Sequence, residues 1–109
     1  LASISLPTTG TYLINYTMRV QSVYASANQY AVGYLSETSG GSAIAGTEIL
    51  GAFSYQAFQT GGNYSGTYVV TVTSAPKLIY FIGRAFGNLM IFNDDANGRS
   101  RISFVKVTP

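Results

Sequence analysis

The chain has 109 residues, 47% of them hydrophobic and only 9% charged, with six basic and four acidic side chains giving a net charge of +2. Neither cysteine nor histidine is present, which excludes disulfides, cysteine nucleophiles, Ser-His-Asp arrangements and the ordinary zinc ligand sets. The basic residues are scattered, with Arg99 and Arg101 the one close pair, so no patch points to nucleic acid, and no run approaches the ~18 apolar residues of a membrane helix.

Length predicts one domain, 1–109, large enough for a two-layer core. Helix periodicity is nearly absent, and β-branched and aromatic residues alternate with polar ones instead. Ala2 to Leu6 reads as a strand closed by the Pro7-Thr8-Thr9-Gly10 turn. Thr11 to Ser22 is the clearest strand: Tyr12, Ile14, Tyr16, Met18 and Val20 form a face to be buried, with Leu13 the apolar exception among Asn15, Thr17, Arg19 and Gln21 opposite. Further strands are expected at Tyr30 to Ser36, Ile44 to Leu50 and Ala52 to Gln59, separated by loops at Ser39-Gly40-Gly41-Ser42 and Thr60-Gly61-Gly62-Asn63. Thr67 to Thr73 and Lys77 to Phe86 read as a hairpin around Ser74-Ala75-Pro76, since proline suits a turn and not a central ladder. Leu89 to Asn93, a turn at Asp94 to Gly98, and a closing strand from Arg99 to Val107 complete the set. About eight or nine short strands without helices predict an all-β antiparallel sandwich or jelly roll.

Three segments carry a family resemblance. Ser3 to Tyr16 is a strand, a Pro/Gly corner and a strand with the Gly10-Thr11-Tyr12 step. It resembles the corner in the globular heads of the complement-component-q and tumour-necrosis-factor superfamily, including phage tail-fibre tips and the heads of bacterial collagen-like surface proteins. Gly66 to Phe81 is similar to that superfamily's late hairpin, and Arg101 to Val107 to its closing strand, which lies centrally in the sheet. The resemblance implies a jelly roll that assembles as a tight homotrimer around an aromatic and aliphatic axis. The opening in strand-like sequence at Leu1 suggests a segment cut from a longer fibrous protein. Composition adds its own argument. With 9% charge against roughly 25% in an average soluble domain, the chain lacks the polar side chains to cover itself, so copies of itself are expected to cover part of its surface.

The four carboxylates, Glu37, Glu48, Asp94 and Asp95, offer little for catalysis. Glycoside hydrolysis needs two facing carboxylates across a cleft, and Asp94 and Asp95 are adjacent, while Glu37 with Glu48 is conceivable only across a hairpin. The Asp94-Asp95-Ala96-Asn97-Gly98 oxygens suit calcium, yet the loop lacks the roughly twelve-residue ligand pattern, and Asn or Asp before Gly is what a tight turn uses. No cofactor is expected. Nine tyrosines and six phenylalanines invite sugar stacking. Tyr12, Tyr16, Tyr68, Phe81 and Phe104 read as core or inter-subunit contacts, whereas Tyr24, Tyr30, Tyr55 and Tyr64 fall at loops or strand ends, where binding residues gather. Among arginines able to grip anionic groups, or simply to stand as solvated charges on strand faces, Arg84 and Arg99 join these tyrosines as expected ligand contacts, beside Arg19 and Arg101. The function expected is that of a trimeric receptor-binding tip on a virion fibre, attached non-covalently to a host-surface glycan or protein. The alternatives are a trimerising head on a bacterial cell or spore filament, and a free-standing lectin.

Overall fold

The computed structural model describes residues 2–22, 29–53, 60–86, 90–92 and 100–108. Among them are eight strands and no helix: β1 (Ala2–Leu6), β2 (Gly10–Ser22), β3 (Gln29–Ser36), β4 (Ile49–Phe53), β5 (Thr60–Val72), β6 (Lys77–Phe86), β7 (Met90–Phe92) and β8 (Arg101–Thr108). They form two antiparallel sheets. The first runs β1-β6-β3-β4; the second runs β5-β2-β7, with β8 also paired to β2.

β2 organises the second sheet. Its pairing with β5 is unbroken from Gly10↔Val72 to Ser22↔Thr60, and its other flank is shared by β8 and then β7. Strict alternation explains its place: Tyr12, Ile14, Tyr16, Met18 and Val20 are all buried. They meet Leu6, Ala31, Leu35, Ile79 and Phe81 of the first sheet in one core cluster, an arrangement compatible with a β-sandwich. The Tyr16 and Phe81 rings meet edge to face at 5.4 Å across the layers. Burying each aliphatic or aromatic side chain of this kind contributes about 1.5–3 kcal/mol. Gly66 lies opposite Tyr16, and a Cβ there would stand 2.7 Å from the Tyr16 ring, so only glycine admits that ring.

The Pro7 to Gly10 corner carries the chain from the first sheet to the second. Its geometry is tied by Tyr12, whose hydroxyl donates to the Thr8 carbonyl at 2.9 Å. The buried face of β2 and the corner thus match the sequence reading.

Other expectations are corrected. Thr60 to Asn63 is not a loop but the start of β5, because continuous pairing with β2 outweighs the poor strand propensity of Gly61 and Gly62. β5 and β6 do not form a hairpin: they lie in different sheets, and Ser74 to Pro76 crosses between the layers. Val72 and Ile79 are both buried, a pattern that a hairpin and an arch over one core produce alike. The expected strand from Ile44 is loop through Glu48, with β4 beginning at Ile49. Of the expected strand Ala52 to Gln59, the first two residues end β4 and 54–59 lie outside the described residues. Among the described strands β8 pairs only with β2, so the central position belongs to β2 and not to the closing strand.

Candidate functional site

β3 sends alternate residues to opposite sides of the first sheet. Ala31, Gly33 and Leu35 face the core; Tyr30, Val32, Tyr34 and Ser36 face outward. Tyr34 is nevertheless only 7% exposed. The cause is the connection from β3 to β4, which folds back over the outward face.

That connection is tied down at successive points. The Thr38 amide donates to Ser36 Oγ at 3.2 Å, and the Gly41 amide to the Thr38 carbonyl at 3.1 Å. Gly40 adopts φ +69°, the left-handed conformation glycine tolerates best. The Tyr34 hydroxyl donates to the Gly41 carbonyl at 3.3 Å. Farther along, the Ile44 amide donates to the Leu35 carbonyl at 2.8 Å. Thr47 is fully buried; its hydroxyl donates to the Ile44 carbonyl at 2.7 Å and accepts from the Leu35 amide at 3.2 Å. Its own carbonyl accepts the Tyr16 hydroxyl at 2.7 Å. Burial pushes the Tyr16 phenol above its usual range, keeping it a neutral donor. The loop over the first sheet is therefore anchored through the core to the central strand of the second.

Between this loop and the sheet lies an open cavity of about 470 Å³. Val32 and Tyr34 form its floor, Gly41 and Ser42 one wall, and Arg84 and Glu48 its charged rim. Arg84 stands directly opposite Val32 on β6, and Glu48 sits just before β4 on the other side of β3. Both are exposed, and neither forms an ion pair among the described residues. The other described acid, Glu37, is held by Lys77 at 3.0 Å. A rim of this kind offers hydrogen-bond donors from the guanidinium, acceptors from the carboxylate and an apolar floor.

The sequence-derived candidates fare differently. Tyr30 and Arg84 share this outward face, two positions apart along the β3–β6 ladder, and Tyr30 is 43% exposed. Tyr64 is placed elsewhere: it sits within β5 facing inward, its ring over Gly51 and Gly62, packed against the core. Tyr24, Tyr55 and Arg99, like Asp94 and Asp95, lie outside the described residues. Arg19, read equally as a grip for anionic groups or as a solvated charge on a strand face, is only 8% exposed. Tyr34, Ser42 and Glu48 were not foreseen as site residues. Their one sequence signal was the Ser39-Gly40-Gly41-Ser42 loop lying between a tyrosine-bearing strand and an acid.

The second sheet's outward face has another character. Val69, Leu13 and Val105 lie directly across three neighbouring strands, and the two valines are 58% and 52% exposed. Thr11 and Thr71, hydroxyl to hydroxyl at 3.1 Å, flank this row on one side, and Thr67, Asn15 and Ser103 on the other. Those flanking positions carry no charge.

Comparison with family models, curated proteins and solved structures found no match to this chain.

Proposed function

We propose that this chain is the receptor-binding head of a bacteriophage fibre, a jelly roll that assembles as a homotrimer and attaches to carbohydrate on the host surface. The observation that carries the reading is the pair of unlike outward faces. One bears an uncharged apolar row, Val69-Leu13-Val105, suited to contact with a second and third copy. The other bears a concavity with an apolar floor and both hydrogen-bonding charges on its rim. Attachment by such a head is non-covalent. Three weak sites on one trimer, repeated over several fibres, hold a surface through effective concentration, with avidity about 10²–10⁴ above the single site.

The test joins two measurements on the same sample. Light scattering or native mass spectrometry is expected to return three copies, and a glycan array probed with that assembly is expected to give discrete positive sugars. A stable monomer at high concentration, together with a blank array and no competition of host adsorption, overturns the reading.

A further inference from the structure

We propose that the cavity under the Thr38 to Ala43 segment is the sugar subsite, and that it takes an uncharged hexopyranose presenting neighbouring hydroxyls, with Arg84 donating and Glu48 accepting. This rests on the attachment reading above and names the ligand class of that attachment.

Charge selects the class. The rim holds one cation and one carboxylate. An anionic sugar held by Arg84 would stand beside Glu48, and a cationic one held by Glu48 would stand beside Arg84. A neutral ligand with hydroxyls that both donate and accept satisfies the two together, without the desolvation cost that the two full charges of a zwitterion carry into an exposed rim. Spacing selects the size. Arg84 and the Glu48 segment flank β3 on opposite sides, and with neighbouring strands about 4.8 Å apart their backbones stand roughly 10 Å apart across the sheet. With both side chains standing off the sheet and not reaching toward each other, that gap takes one six-membered ring, and a cavity of about 470 Å³ admits it with its waters. The floor suits the same ligand: Val32 and the uncovered edge of Tyr34 present carbon to a pyranose, and Ser42 adds a hydroxyl at the wall.

Preorganisation completes the argument. The loop is fixed by the bonds of Tyr34, Ile44 and Thr47 to neighbouring backbone, so the wall stands in place before any ligand arrives. Little ordering entropy then opposes a small weak ligand.

The experiment is chemical-shift mapping on ¹⁵N-labelled assembled protein with methyl glucoside, methyl galactoside and methyl mannoside. N-acetylneuraminic acid and glucosamine serve as charged comparators. At least one neutral glycoside is expected to move the Gly40, Gly41, Ser42 and Ala43 amides saturably, at dissociation constants of order millimolar. Arg84→Ala and Glu48→Ala should each weaken that binding at least tenfold, with the melting temperature unchanged because both side chains are exposed. Ser42→Ala should weaken it less. The subsite falls if no neutral glycoside moves these amides, if a charged comparator binds better, or if Arg84→Ala binds as well as wild type. An array that is positive for both wild type and Arg84→Ala removes the subsite and leaves attachment standing. A saturable neutral glycoside in the cavity with a blank array keeps the subsite and removes attachment.

Discussion

The outward face of the first sheet is partly roofed by its own chain, whereas on the second no described segment covers the row across β5, β2 and β8. Both are built from strands that alternate inward and outward residues, and the difference in cover comes from one connection. The residues between β3 and β4 turn back over Tyr34 and are held by Thr47, whose carbonyl takes the Tyr16 hydroxyl through the core. On the second sheet no described segment turns back over Leu13, and its neighbours Val69 and Val105 stay exposed. An uncovered face with an apolar row suits a partner surface; a roofed one suits a small ligand. The chemistry of each face follows from where a loop goes more than from the strands beneath it.

That comparison can be broken at its anchor. Tyr16→Ala removes the ring that meets Phe81 and the donor that holds Thr47. It is expected to cost about 3–5 kcal/mol, read from the shift of a urea unfolding midpoint; a loss below about 1 kcal/mol would show that the two faces are not tied through this residue. Thr47→Val keeps the volume but strips the Leu35 amide of its buried acceptor and leaves the Ile44 carbonyl with the Thr47 amide alone. About 1–3 kcal/mol should go, with faster hydrogen exchange at the Ile44 amide and no change at Leu13.

Tyr16→Phe sharpens the point by pH. It should cost about 1–2 kcal/mol at neutral pH through the lost bond to Thr47. The folded phenol holds its proton more tightly than the unfolded one, whose value is near 10.0. Its contribution is therefore full below that value and is lost as pH rises through the higher folded value. Wild-type stability minus that of Tyr16→Phe should be level up to about pH 9 and fall above it; a difference that grows with alkali contradicts the burial of this phenol. The smallest effect on folding belongs to the bare face. Leu13→Lys should alter monomer stability by about 0.5 kcal/mol or less while dispersing the assembly in light scattering. An unaltered oligomer would move the self-association surface away from the Val69-Leu13-Val105 row.

Much of the first strand pair was legible in the residues. β2 declares its buried face by five alternating apolar side chains, and the Pro7 to Gly10 corner ends β1 where proline and glycine say it should. Leu13 stood out as the apolar residue on the wrong side, and it marks the bare face. The extent of β5 was not legible, because Gly61, Gly62 and Gly66 argue locally for a loop and only pairing with β2, set by the long-range fold, overrides them. The crossing at Ser74 to Pro76 was hidden for a similar reason: two strands that bury alternate residues toward one core look alike in one sheet or two. At the site, Tyr30 and Arg84 were chosen separately, as a strand-end tyrosine and an arginine, and the β3–β6 register brings them to one face; no period-two pattern tells which face a twelve-residue connection will cover. Tyr34 and Glu48 were missed on that account. Tyr64 was misjudged because Gly62, taken as loop, belongs to β5, and the Tyr64 ring rests over it and over Gly51.

The pairing of β2 on both flanks has a kinetic consequence. Arg19 on β2 donates its amide to Ser100 Oγ, 81 positions later in the chain, and β8 follows directly. At about 5–20 residues per second, a ribosome leaves β2 without that flank for roughly 4–16 s after it emerges. Over that interval the growing polypeptide carries an unfinished ladder, open to stray pairing with sister molecules. Slow closure of this distant pair predicts sluggish refolding, in the range from milliseconds to seconds typical of non-local β topologies, and a yield in the cell that depends on how well nascent chains are kept apart.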